Sequence, residues 1–122
     1  MKVTMMSVAL VKILDDLKRV GGLKGTDLAN IVDASAATVS RWSHDKGSPP
    51  LPIQAMIADL RYIVERLSDF YTPDEARLWL HARHPLLDGA RAIDLIRDGK
   101  VEPVLAVIER LDAGAYLEKR CA

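Results

Sequence analysis

Much of what gives a protein catalytic chemistry is missing from this sequence. A single cysteine, Cys121, rules out an internal disulfide framework, and neither a CxxC nor an HExxH spacing is present to hold a metal. There is no glycine-rich phosphate loop and no nucleophile elbow. Apolar runs are only a few residues long, far short of the roughly 20 that cross a bilayer. The Met-Lys start is not followed by an apolar stretch of about 7 to 15 residues with a cleavage site, so no secretory signal is expected and a cytoplasmic location is the simplest account. Nor is there an excess of one charge. The 17 basic and 17 acidic residues balance, which tells against a protein that holds nucleic acid chiefly by bulk charge. These absences point to a binder and not an enzyme, with no cofactor and no metal.

What is present is helical periodicity. From Gly25 to Trp42 the sequence reads as two short helices joined by a tight turn. Leu28, Ala29, Ile31 and Val32 form the inward face of the first, Asp33-Ala34 supplies the turn, and Ser35 caps the second. Val39 and Trp42 point back at the first helix, where Ala29 keeps the crossing close. This is a helix-turn-helix pattern. It leaves Ser35, Ala36, Ala37, Thr38, Ser40, Arg41 and His44 facing out, short or polar or cationic as a helix entering a major groove requires. Arg41 is the strongest expected DNA contact, to guanine or to phosphate, and Trp42 is expected in the core. Residues 1–52 carry seven Lys/Arg against five Asp, so this half is only mildly basic. Useful affinity then needs more than one copy on an operator, which implies an oligomer.

The rest of the chain extends the all-α expectation. Leu10, Ile13, Leu14, Leu17 and Val20 define a first helix over 7–20, stopped by Gly21-Gly22. Asp15 and Asp16 are adjacent on it, diverge by about 100°, and read as a solvated face. Prolines at 49, 50 and 52 mark the domain boundary, giving a helix-turn-helix domain over 1–52 and a helical dimerisation and partner-binding domain over 53–122. A long helix from Ile53 carries Met56, Ile57, Leu60, Val64 and Leu67 on one stripe, part of it available for a second copy. Thr72-Pro73-Asp74-Glu75 is a capping box with proline at the first helical position. A turn over 84–89, a short helix over 91–98 ending at Gly99, and a last helix from Pro103 to Gly114 complete the pattern. His81 and His84 share a helical spacing but lack third and fourth ligands, so no metal site is expected.

One segment adds what periodicity does not. Ala76-Arg77-Leu78-Trp79-Leu80, Pro85-Leu86-Leu87-Asp88-Gly89, Arg91-Ala92-Ile93-Asp94-Leu95-Ile96, Gly99, Val104 and Gly114 together resemble the toxin-binding domain of Xre/ParS-type antitoxins, in which a helix-turn-helix precedes that domain. The resemblance covers about residues 25–117. It implies an antitoxin that neutralises a RES-domain, NAD⁺-degrading toxin by covering its active site and represses its own operon by binding operator DNA. It also implies a homodimer within a hetero-oligomeric toxin–antitoxin complex. Under this reading Tyr116 and Leu117 anchor in the toxin, Glu118, Lys119 and Arg120 pair with charges around its cleft, and Arg77 is a surface contact beside Trp79. Trp79 is expected in the core. A stand-alone dimeric helix-turn-helix repressor is the alternative, and an adaptor that no longer binds DNA is a third reading.

Overall fold

The structure, a computed structural model, describes the backbone of residues 2–121 and the side chains of residues 9–111 and 113. It is all-α: seven α-helices and one 3-10 turn are found among the described residues. Pairing of extended backbone is limited there to one isolated bridge between Arg83 and Arg91.

Helix α1 (Lys2–Arg19) starts earlier than the sequence pattern suggests and buries Leu10, Leu14 and Leu17 along one face. Gly21-Gly22 ends it. Gly22 takes φ +64°, and a Cβ there would lie 2.4 Å from the Pro73 carbonyl oxygen, so only glycine allows this close approach. Helices α2 (Gly25–Val32) and α3 (Ala36–Ser43) follow, joined by the tight turn. Asp33 supplies the left-handed residue at φ 56°, ψ 48°, and Ala34 N donates to Ala29 O at 2.9 Å, closing the end of α2. Ala29, Val39 and Trp42 are all buried at the crossing, as their phase demands.

Helix α4 (Leu51–Leu67) begins two residues ahead of the expected Ile53, because Pro52 sits in the first turn, where no backbone donor is needed. Ile57, Leu60, Ile63, Val64 and Leu67 are buried, with Ile53 and Met56 partly so. The stripe expected to serve a second copy is therefore used inside the chain. Each fully buried Leu or Ile contributes roughly 1.5 to 3 kcal/mol, which makes α4 the central support for α1, α6 and α7.

Helix α5 (Pro73–His81) opens with the expected box: Glu75 N donates to Thr72 Oγ1 at 3.3 Å and Thr72 N to Glu75 Oε1 at 2.9 Å. The 3-10 turn Pro85–Leu87, helix α6 (Ala92–Arg97) and helix α7 (Glu102–Cys121) complete the chain. Asp88 and Gly89, at φ 56° and 81°, turn the backbone after the 3-10 segment. The expected stop at Gly114 is corrected: α7 passes through it to Cys121. A glycine inside a helix costs only about 1 kcal/mol, and no competing cap or proline follows it. One hydrophobic core runs from Leu10 to Ile108 and crosses the sequence boundary at residue 52.

Candidate functional site

The outward face of α3 is built by its own cap. Ser35 Oγ accepts from Thr38 N at 3.1 Å and lies 2.8 Å from Thr38 Oγ1, so both hydroxyls are engaged at the helix start. Ala36, Ala37, Ser40 and Arg41 are exposed beside them. At the other end His44 Nδ1 donates to Ser40 O at 2.7 Å, which folds that ring against the helix terminus. The seven residues picked out from the sequence thus share one helix and its caps. Six of them are exposed and Thr38 is half-buried, and Val39 and Trp42 on the opposite side fix the helix to the core.

A second feature has no signature in local sequence. Asp27 is 7% exposed and is the buried charged residue among the described residues. It sits in the first turn of α2, where it accepts from Lys24 N at 2.8 Å. Across the core α5 presents Arg77, whose Nε and Nη2 donate to the two Asp27 oxygens at 2.9 and 3.1 Å, a bidentate pair. His81 Nε2 lies 3.5 Å from Asp27 Oδ1, while its Nδ1 donates to Arg77 O at 2.9 Å. Burial alone pushes the Asp27 carboxyl up, but the Arg77 and Lys24 hydrogen bonds and the charges of Arg77 and His81 outweigh it. The carboxyl is held below its ordinary value, and the Arg77 guanidinium is raised by the same bond and charge. Arg77, expected to contact a partner, also ties α5 to α2 and stays half-exposed.

Beside this pair large apolar side chains are exposed. Leu78 is 65% exposed, and Leu86 in the 3-10 turn is 57% exposed. Between α5 and the segment before it lies an open cleft of about 250 Å³ lined by Tyr71, Glu75, Leu78, Trp79, Ala82 and His84. Its floor is rigid: the Trp79 and His84 rings have centroids 4.5 Å apart, and His84 Nε2 donates to Trp79 O at 2.8 Å. Both α5-region histidines are thereby committed to backbone carbonyls, and no group of three metal-capable side chains occurs among the described residues. Trp79 is in the core, as its spacing indicates. The sequence signal for the cleft was Leu78, which falls outside the apolar phase of α5; Leu86 is exposed in the 3-10 turn and does not line the cleft.

The side chains of Tyr116, Leu117, Glu118, Lys119 and Arg120 lie outside the described residues. Their backbone belongs to α7, which continues past the expected stop at Gly114. Among the described residues the last buried one is Ile108, with Leu111 packed partly against the core. No helix among the described residues is long and apolar enough to cross a membrane.

Fold and surface define the class first: a small all-α binding protein, with one short polar helix face and one exposed apolar cleft on a shared core. Residues 60–116 match the family model described as the antitoxin Xre/MbcA/ParS C-terminal toxin-binding domain. The mycobacterial cidal antitoxin MbcA of Mycobacterium tuberculosis is 30% identical over 96 residues, covering 79% of this chain and 85% of that protein. A second M. tuberculosis protein, named "probable mycobacterial cidal antitoxin", is 35% identical over 111 residues, covering 91% and 94%. The crystal structure of the M. tuberculosis MbcT–MbcA toxin–antitoxin complex superposes with a TM-score of 0.76 at 28% identity, covering 86% of this chain and 95% of that one. The chain belongs to the Xre/MbcA/ParS antitoxin family.

Proposed function

We propose that this chain neutralises a RES-domain, NAD⁺-degrading toxin by laying the C-terminal end of α7 over the toxin's active site, and that α2 and α3 form a helix-turn-helix that binds operator DNA and represses the operon. The observation that carries the first part is the length of α7. Its backbone continues from Leu111, the last of the described residues packed on the core, to Cys121, a reach of ~15 Å of helix. A helical arm with Tyr116 and Leu117 near its end has the chemistry of an anchor, and Glu118, Lys119 and Arg120 supply charges for the rim of a cleft. Arg77, half-exposed on α5, is a further surface contact for the toxin while its guanidinium holds α5 against Asp27.

The second part rests on the exposed Ala36, Ala37, Ser40 and Arg41, with Ser35, Thr38 and His44 at the helix ends. Two copies are required, because residues 1–52 have a net charge of only +2 and a single helix makes few phosphate contacts. Residues 1–52 and 53–122 then divide the labour between DNA and toxin while sharing one core. The chain needs no cofactor, acts in the cytoplasm, and works as a homodimer inside a hetero-oligomeric complex.

Co-expression with the cognate toxin is the test. Full-length chain restores growth, and a chain lacking residues 115–122 still co-purifies with the toxin but fails to protect. Protection by the shortened chain refutes occlusion by α7, and a full-length chain that binds operator but no toxin leaves the stand-alone repressor in its place.

A further inference from the structure

We infer that the cleft beside α5 is a second anchor point for the toxin, taking an aliphatic or aromatic side chain that projects from the toxin surface away from its active site. The inference rests on the toxin-binding reading and locates a contact which that reading does not contain. All the lining residues fall within the stretch matched to the toxin-binding domain, residues 60–116. Their chemistry is that of an interface centre: two aromatic side chains and a leucine, with Glu75 on the rim held by the Thr72 cap.

Three observations turn an exposed patch into an anchor. The cleft is preformed, since the Trp79 and His84 rings, in contact at a 39° tilt, are locked by the bond from His84 Nε2 to Trp79 O, and a partner need not order them on arrival. Leu78 and Leu86 are exposed at 65% and 57% although the chain has ample core to bury leucine, and exposed large apolar groups that neighbour a polar rim mark recognition surfaces. The surface is also continuous with the proposed occluding arm. The 3-10 turn that exposes Leu86 buries the adjacent Leu87 and packs against α7, the same helix that extends to Cys121. The exposed Leu86 and the proposed arm thus belong to elements packed on one another. Arg77 and His81 complete the arrangement, holding the flank of α5 to Asp27 while Leu78 and Ala82 are exposed.

The test measures binding of purified toxin to the full-length chain and to Leu78→Glu, Leu86→Glu and Leu78→Met variants by calorimetry. Because both leucines are exposed, the variants keep the wild-type melting temperature. Leu78→Glu and Leu86→Glu each weaken binding by ~30-fold, the scale of an interface anchor, while Leu78→Met stays within ~3-fold. Wild-type affinity in Leu78→Glu overturns the inference, as does a loss in Leu78→Met as large as in Leu78→Glu. A glutamate variant that changes only self-association in size-exclusion chromatography, with toxin affinity intact, overturns it too. Failure of the wild-type chain to bind toxin instead removes the underlying toxin-binding reading.

Discussion

Replacing Asp27 by alanine isolates the link between the two halves. The carboxylate accepts one bond from Lys24 N and two from Arg77, with His81 nearby. Loss of the first-turn bond to Lys24 N costs about 1 kcal/mol, in the range of a lost helix cap. Net loss of the ion pair adds about 1 to 2 kcal/mol, kept low because the Arg77 guanidinium is partly exposed and turns to water when its partner is gone. The total, about 2 to 3 kcal/mol, lowers the melting temperature by roughly 10 °C for a chain of this size. Urea denaturation followed by far-UV circular dichroism reads it directly, as a lower midpoint with an unchanged slope. Arg77→Met destabilises as well, and the double variant loses less than the two single losses added together. The pH dependence has a defined sign. The Asp27 carboxyl ionises below its ordinary value of 3.8 in the folded chain, so its contribution is fully present above that value and is lost as pH falls through the depressed folded one. The stability gap between wild type and Asp27→Asn accordingly closes on acidification below about pH 4. An Asp27→Ala midpoint equal to wild type, or additive effects with Arg77→Met, would refute the idea that this pair joins α2 to α5.

Further outcomes follow from other parts of the chain. Gly22→Ala forces a Cβ against Pro73 O in a left-handed conformation and destabilises by about 2 kcal/mol, seen as a lower urea midpoint; a neutral effect would mean the α1–α2 link can shift freely. Leu60→Ala removes a fully buried side chain from α4 and costs about 3 kcal/mol. Because one core serves both halves, unfolding of that variant stays a single transition when followed by Trp42 and Trp79 fluorescence and by circular dichroism, and two separated transitions would argue for independent halves. Arg41→Ala weakens operator binding by about 1 to 3 kcal/mol in a fluorescence anisotropy titration if the guanidinium reads a base, and an unchanged affinity removes Arg41 from the DNA face.

Local signals in the sequence were enough to place most helices. The Asp33-Ala34-Ser35 turn and cap, the Thr72–Glu75 box and the Gly21-Gly22 stop each act through backbone chemistry within four residues, and the structure realises all three. Gly114 misled because a glycine ends a helix only when the chain beyond it turns away, and Ala-Tyr-Leu-Glu-Lys-Arg continues as helix instead. Pro52 misled in the opposite sense, since a proline that breaks one helix is at home in the first turn of the next.

The Asp27–Arg77 pair was out of reach for another reason: its members are 50 residues apart in sequence and nothing local couples them. Asp27 does lie four residues before the buried Ile31, a position where a charge requires a partner, and that partner is decided only by tertiary packing. The cleft was half visible. Leu78 breaks the apolar phase of α5, but only the contact of Trp79 with His84 shows that it borders a preformed surface.

The central claim is that α7 inhibits by covering the toxin's active site. It is tested most directly by following NAD⁺ consumption by the purified toxin while the chain is titrated in. Full-length chain is predicted to stop NAD⁺ loss at a fixed stoichiometry, and the chain lacking residues 115–122 to bind the toxin while leaving NAD⁺ consumption running. Equal inhibition by the two would contradict the account.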